Sequence, residues 1–350
     1  MGLEQLLKQN SEWLRGTGPH ADIVMSSRIR LARNLVPYPF SHWASKKQEQ
    51  DVMKMTEEAL AKSKVMKGMM LQRMNEASDV DKQFLLERHL VSREFILRPE
   101  FKSVAVNPKE IVSIMINEED HLRIQVMQSG FNLAEGWRIA DQVDDELSDI
   151  LPFAYDKEWG FLTACPTNTG TGLRSSVMLH LPALVMTKQI NRVVQAISKL
   201  GMVVRGLYGE GTEAEGNLFQ VSNQFTLGQS EIETIDHIER IIRQIIGHEE
   251  NSRKQLMKQN KDLLHDKIWR AYGILKNAFI ISSKETIQLL NMIRLGVDLG
   301  VIEDLDRRVI NELFIVTQPA HLQRIEGKLL SQSERDVKRA VLIKQYLSKK

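Results

Sequence analysis

Residues 22–31, DIVMSSRIRL, alternate in a way that decides how the first part of the chain is built. Successive side chains of a strand leave opposite faces, so Arg28 and Arg30 share one face while Ile29 and Leu31 point the other way, into a core. The same reading extends outward. Residues 111–126 and 174–185 are rich in Ile, Val and Leu, with period-two alternation in places, and read as further strands. Residues 46–64 and 132–147 read as helices between them. Prolines run from Pro19 to Pro182 with only Pro319 beyond, and Gly201, Gly206, Gly209, Gly211 and Gly216 crowd one stretch. Strands and loops with some helix therefore fill residues 1–228, in an α+β pattern with a sizeable sheet and not a regular βαβ alternation.

Beyond Gly228 the period changes. Ser230 followed by Glu233 is a capping box, and Ile232, Ile235, Ile238, Ile242, Ile245 and Ile246 recur at helical spacing. Ser282 with Glu285 and Ser333 with Asp336 repeat the start signal. The polar residues 248–261 read as a helix tail or a connector. This places a domain boundary near residue 257, giving 1–256 as a mixed domain and 257–350 as an all-α one.

Composition sets the outer limits. Of 350 residues 42% are hydrophobic and 26% charged, enough for a substantial core and, at roughly 100–200 residues each, about two domains. Lys and Arg number 47 against 45 Asp and Glu, a net charge of +2, which argues against a nucleic-acid coat or an acidic tail. Any charge chemistry has to come from local clusters. Cys165 is the single cysteine, which excludes an intramolecular disulfide framework and a zinc site built on several thiolates. No run reaches the ~18 apolar residues of a membrane span, and Glu4, Lys8, Glu12 and Arg15 interrupt the start. The expectation is a soluble, cytoplasmic protein.

Generic phosphate-handling motifs are missing. Neither G-x-x-x-x-G-K-[ST] nor G-x-G-x-x-G occurs; Gly170 and Gly172 lack the third glycine, and Gly216 follows Gly211 at the wrong spacing. The arginines are more informative. Besides Arg28 and Arg30, Arg123 follows Glu119 and His121 on what alternation makes one strand face, spanning ~13 Å. Arg174 opens RSSVMLHL and Arg205 opens a glycine-rich stretch where the backbone can approach a ligand. Any one of these is explained by a solvated, ion-paired sheet face. Together they form an anion cradle, since guanidinium forks match phosphate oxygens and stay charged. Nucleic acid, the rival anion, lacks support because no stripe interleaves basic and aromatic residues.

Four segments, SSRIRLARN, INEEDHLRIQ, CPTNTGTGLRSSVMLHLP and RGLYGEGTEAEGNLFQVSN, resemble in order and spacing the signatures of the phosphagen kinases, across about residues 22–228. The resemblance implies an antiparallel sheet flanked by helices, as in glutamine synthetase, and transfer of the terminal phosphoryl group of MgATP to a guanidino nitrogen. Residue by residue it implies that Arg28, Arg30, Arg123, Arg174 and Arg205 clamp the ATP phosphates and that Glu119 and Glu210 grip the acceptor guanidinium. Cys165 matches the family's cysteine beside the acceptor; without that context it reads as a small buried hydrophobe. The nucleotide segments it implies also include Ser27, Ile29, His89, Ser175, Ser176, Val177, Met178, Gly206, Leu207, Tyr208 and Gly209. No metal ligands are implied, Mg²⁺ being held mainly by ATP.

The departures from the small-molecule enzymes concern the acceptor. Those enzymes carry a helical domain before the S-x-R-x-R segment, which here begins at Ser26, and they lack a counterpart of the region after about residue 257. Tyr208 also replaces a basic residue usual in arginine kinases. The whole chain is similar instead to the bacterial protein-arginine kinases of the McsB family, including an R-D-x-x-R-A signature at 335–340. On spacing alone Arg335 and Arg339 are an i,i+4 pair on a surface helix. The resemblance implies an allosteric phosphoarginine site at Arg335, Asp336 and Arg339. It further implies protein substrates, including misfolded proteins and a CtsR-type stress repressor, an McsA-type activator, delivery to a Clp unfoldase, and a homodimer or larger oligomer. A small-guanidine kinase and a silent phosphoarginine-binding adaptor are the alternatives.

Overall fold

The computed structural model describes residues 2–206 and 215–348. The strands in chain order are β1 (Val24–Arg33), β2 (Met70–Arg73), β3 (Ser103–Val106), β4 (Val112–Ile116), β5 (Leu122–Ser129), β6 (Tyr155–Asp156), β7 (Gly160–Phe161), β8 (Leu173–His180), β9 (Met202–Gly206) and β10 (Leu218–Asn223). The helices are α1 (Leu3–Lys8), α2 (Lys46–Leu60), α3 (Asp79–Glu87), α4 (Arg93–Leu97), α5 (Leu133–Ser148), α6 (Pro182–Met186), α7 (Ile190–Lys199), α8 (Glu231–Gln259), α9 (Lys261–Asn277), α10 (Ser283–Asp298), α11 (Arg307–Val316), α12 (Pro319–Glu326) and α13 (Gln332–Ser348). The main sheet runs β2-β3-β4-β5-β1-β8-β10-β9, antiparallel throughout, with β6 and β7 as a separate hairpin. The architecture is the expected α+β one, a flanked antiparallel sheet followed by helices.

β1 lies at the middle of this sheet because both its faces are specified. Ile29 and Leu31 are buried with Ile124, Val126, Val177 and Leu179 against Ala140 and Val143 of α5 and Ile238, Ile242 and Ile245 of α8. Gly136 lets α5 come close, since a Cβ there would stand 3.3 Å from Ile29 Cγ1. The odd-numbered Arg33 falls on this helix side, where it forks onto Asp144 of α5 at 2.7–3.1 Å. Its role is thereby structural.

On the opposite side, the β2–β4 end of the sheet is covered by α1, α3 and α4 through Leu6, Phe84, Phe95, Val104 and Met115. The helices after α8 build their own core, and that core also takes in Trp13, Met25, Met127 and Leu218. Buried polar side chains tie them to the chain entering β1: Arg294 donates to Ala21 O at 2.8 Å and Asn311 to Leu14 O at 3.1 Å. His180 at the end of β8 meets Asn291 of α10 at 2.6 Å. Between these two covered regions the face stays open, and there the arginines stand.

Several local expectations change. Residues 111–126 are not one strand but the β4–β5 hairpin, with residues 117–121 as its turn. The ~13 Å strand separation of Glu119 from Arg123 therefore fails; the turn folds Glu119 back to within 3.2 Å of Arg123. The strand expected over 174–185 ends at His180, because Pro182 starts α6. The cap of α13 is Ser331 paired with Glu334, two residues before Ser333 and Asp336. Ser230 and Glu233 do form the capping box of α8, which continues through the polar residues to Gln259.

Candidate active site

Backbone pairing alone gathers the arginines. Arg30 lies opposite Arg174, Ala32 opposite Arg123, and Arg205 opposite Gln220, with Arg28 two residues along β1, so all five guanidiniums share one sheet face. Like charges placed opposite one another destabilise a sheet. The partners of two of them are neutral: Arg28 donates to Gln220 Oε1 at 2.8 Å and to Ser176 Oγ at 3.3 Å, and Arg174 to Ser222 Oγ at 3.5 Å. The buried Nε atoms of Arg30 and Arg174 have no hydrogen-bond partner among the described residues. Burial, then the charges of Arg174 and Arg123, pushes Arg28 down to about 10; burial, then Arg28, Arg123 and Arg174, also lowers Arg30 well below its ordinary value. A polyphosphate fits this face, because its oxygens supply both the missing acceptors and the missing charge.

Arg123 is the exception. Its two terminal nitrogens pair with Glu118 at 2.9 Å and Glu119 at 3.2 Å. The Glu118 side chain is 4% exposed and also accepts from Ser92 at 2.6 Å, whereas that of Glu119 is 46% exposed at the cleft. Burial is the main influence raising the Glu119 carboxyl, opposed by Arg123 and reinforced by Asp120 and Glu118. Cys165 precedes the turn Pro166–Asn168, with Sγ 3.0 Å from Thr167 Oγ1. Glu119, Cys165, Arg30, Arg123, Arg174 and Arg205 line one cleft of about 270 Å³.

The turn that presents Glu119 is built by its own neighbours. Asn117, at φ 60°, donates to Glu49 O and Phe101 O, each at 2.8 Å. Asp120 accepts from Asn34 Nδ2 and Ala164 N, both at 2.7 Å, tying the turn to the loop that carries Cys165. His121 accepts from Leu35 N at 3.0 Å through Nδ1. Every polar residue of NEEDH is thus used. Asp120, Glu118 and Asn34 were missed in the sequence, where the run of consecutive acids signalled the first two and nothing singled out Asn34.

At the other end of β1, His89 holds a left-handed φ of 60° and its carbonyl accepts from Gln125 Nε2 at 2.7 Å. Burial, then Arg28 and His321, pushes its imidazole down to about 4, so it is neutral at pH 7. Met178 and Ser176 face the same side as Arg28. Ser27, Ile29, Ser175 and Val177 do not: alternation turns their side chains toward the helices, with Ile29 and Val177 in the core and Ser27 bonded to Gly130 O at 2.8 Å. These four side chains lie on the face opposite the arginines. Gly206 ends β9; Leu207, Tyr208, Gly209 and Glu210 lie outside the described residues.

Asp336 and Arg339 pair with each other across one helical turn. Arg339 is not the surface residue its spacing suggests: it is 1% exposed and donates to Thr317 O and Ile281 O, each at 2.8 Å. Arg335 donates to Leu330 O at 2.8 Å. Among the described residues no three His, Cys, Asp or Glu side chains are grouped to hold a metal ion, and no helix is long and apolar enough to cross a membrane.

An arginine face beside a half-exposed carboxylate suits phosphoryl transfer to a cationic acceptor, and the comparisons agree. Residues 51–252 match the family profile "ATP:guanido phosphotransferase, C-terminal catalytic domain", and residues 261–350 match "Protein-arginine kinase McsB C-terminal domain". The duplicated taurocyamine kinase of Schistosoma mansoni has a similar fold, with a TM-score of 0.61 and 25% identity over 67% of this chain and 34% of that one. A lombricine kinase is similar in fold at a TM-score of 0.59, 23% identity, and coverage of 69% of this chain and 71% of that one. The enzyme class is that of a guanidine kinase. Curated relatives named protein-arginine kinase include one from Desulforamulus reducens, 49% identical over 97% of this chain and 96% of the relative, and one from Bacillus subtilis, 44% identical over 96% and 93%. The chain belongs to the protein-arginine kinase family.

Two outcomes follow from this geometry. Glu119→Ala should lower kcat by about 10²-fold or more while MgATP affinity stays within about threefold, whereas Arg123→Ala should weaken MgATP binding by about tenfold or more. Equal loss of nucleotide binding in the two variants would contradict the separation. For His89, a folded pKa of about 4 against 6.5 when unfolded means that the unfolded chain binds the extra proton between those values. Folding stability should fall as pH drops from about 6.5 to about 4, with His180 and His321, also lowered by burial, acting in the same direction. Urea unfolding across that range should give a flatter slope for His89→Gln; an unchanged slope would remove His89 from the effect.

Proposed function

We propose that this enzyme transfers the γ-phosphoryl group of MgATP to the guanidino group of arginine residues in proteins, with 1–256 as catalytic domain and 257–350 as regulatory domain. The observation that carries it is a single cleft in which Arg30, Arg174 and Arg205, without carboxylate partners among the described residues, meet the half-exposed Glu119 and Cys165. In this reading Arg28, Arg30, Arg123, Arg174 and Arg205 hold the phosphate oxygens and neutralise charge as the γ-phosphorus leaves the β-bridging oxygen. Mg²⁺, when bound with the nucleotide, supplies further charge neutralisation. Glu119, with Glu210 assigned by resemblance, aims one guanidino nitrogen along the line of the breaking P–O bond. As the P–N bond forms, that nitrogen loses a proton, and a carboxylate takes it up. Cys165 lines the same cleft and places its thiol beside the acceptor. A protonated guanidinium is a poor nucleophile, so the proton must leave as the P–N bond forms; holding the nitrogen in line is the larger part of the carboxylates' work.

A regulatory role for Arg335, Asp336 and Arg339 draws support from the bonds of Arg339, which connect Asp336 to the ends of two neighbouring segments at Thr317 and Ile281. A phosphoarginine whose guanidinium engages Asp336 competes with Arg339 for that carboxylate and so bears on the end of α11, to which Arg339 donates. Marking of misfolded proteins for a Clp unfoldase, control of a CtsR-type repressor in a stress response, an McsA-type activator, oligomerisation and a cytoplasmic location complete the reading; they rest on family resemblance.

Incubation with γ-labelled ATP and an unfolded arginine-rich protein should give acid-labile label on arginine, and added phosphoarginine should raise the initial rate. Label on free arginine alone would overturn the protein substrate, and no label with any acceptor, with or without an activator, would leave a binding adaptor. An unchanged rate would remove only the regulatory reading.

A further inference from the structure

The arginine face changes character along β1. Past Arg28 come Ser26 and, after a register shift between Val24 and Ser26, Met25. Met127 of β5 lies opposite Arg28 and Met178 of β8 opposite Ser26, so guanidiniums give way to thioethers within one strand repeat. A cavity of about 60 Å³ opens there, bounded by Arg28, Ser176 and Gln220 on its polar side and His89 and Trp13 above. The remaining wall is Phe314 and Ile315, from the last turn of α11. These two residues lie in the stretch that matches the C-terminal family profile, outside the 51–252 catalytic match.

We propose that Phe314 and Ile315 contact the nucleoside, so that the helical C-terminal region supplies one wall of the nucleotide site. The proposal rests on the ATP-kinase reading above, and three observations support it. A triphosphate whose γ end lies at Arg30 and Arg123 directs its nucleoside toward Ser26, ~13 Å along the strand. Two buried polar atoms in the cavity walls, Trp13 Nε1 and His89 Nε2, have no hydrogen-bond partner among the described residues. An apolar slot with a few convergent polar atoms is what a purine requires. Seating one in so small a space requires Arg28 to leave Gln220 for the phosphates, which frees the Gln220 amide for the base.

The wall is held from both sides. Asn311, earlier on α11, donates to Leu14 O at 3.1 Å beside Trp13, and Arg339 donates to Thr317 O at 2.8 Å just beyond Ile315. Preorganised walls bind with less ordering cost.

The test compares two ligands of the full-length chain, ADP and inorganic tripolyphosphate, by titration calorimetry. Ile315→Ala and Phe314→Leu should weaken ADP by about tenfold while tripolyphosphate stays within about twofold. Loss of both ligands in equal proportion would mark a purely structural wall and overturn the proposal, as would unchanged ADP affinity. Should those variants unfold, Trp13→Phe keeps an aromatic ring and removes the Nε1 donor together with part of the indole; it should weaken ADP severalfold with tripolyphosphate unchanged, and equal affinities would overturn the proposal. If the wild-type chain binds tripolyphosphate but not ADP, the ATP-kinase reading itself fails, a result distinct from a wall that ADP ignores.

Discussion

Repulsion among guanidiniums on one sheet face is the constraint on which the rest of this structure depends. Arg30 and Arg174 stand directly opposite each other, with Arg28 and Arg123 beside them. An unpaired, desolvated charge costs several kcal/mol. That cost is carried by the reverse side of the same strands, where Ile29, Leu31, Ile124 and Val177 are closed over by α5 and α8. Strand alternation makes the two effects inseparable: every residue that places a guanidinium on the open face is flanked by one that anchors the strand. The face is stable because of its back, and it is receptive to anions because it cannot satisfy itself.

The second feature is a carboxylate kept apart from the clamp yet touching it. Glu119 stands in a hairpin turn, not on the sheet, so its position is set by Asn117, Asp120 and His121 and not by strand register. Arg123 joins the two systems, bonded to Glu118 and Glu119 while facing the other arginines. Anion and cation can then be held side by side, which in-line transfer between ATP and a guanidine demands.

Much of this was legible in the residues and some was not. Alternation in SSRIRL put Arg28 and Arg30 on one face and Ile29 and Leu31 on the other, because period two is a property of the strand alone. The Ser230–Glu233 start of α8 was legible for the same local reason. The β4–β5 turn was hidden: the apolar residues on both sides continue the alternation, and nothing as strong as Asn-Gly breaks it. Arg339 reads as a surface residue because helical spacing says nothing of what packs over it, and its partners Thr317 and Ile281 are distant in sequence. The meeting of Trp13, His89 and Phe314 is tertiary in the same sense. Glu210 and its glycine-rich neighbours keep only the assignment that resemblance gives them.

Thermal unfolding with and without tripolyphosphate reads the arginine face itself. A ligand that binds only the folded state and relieves the repulsion should raise Tm by several degrees at saturation, while sodium chloride at matched ionic strength should raise it far less. No rise with tripolyphosphate, or an equal rise with salt, would mean that the five guanidiniums are an ordinary solvated surface and not a phosphate clamp.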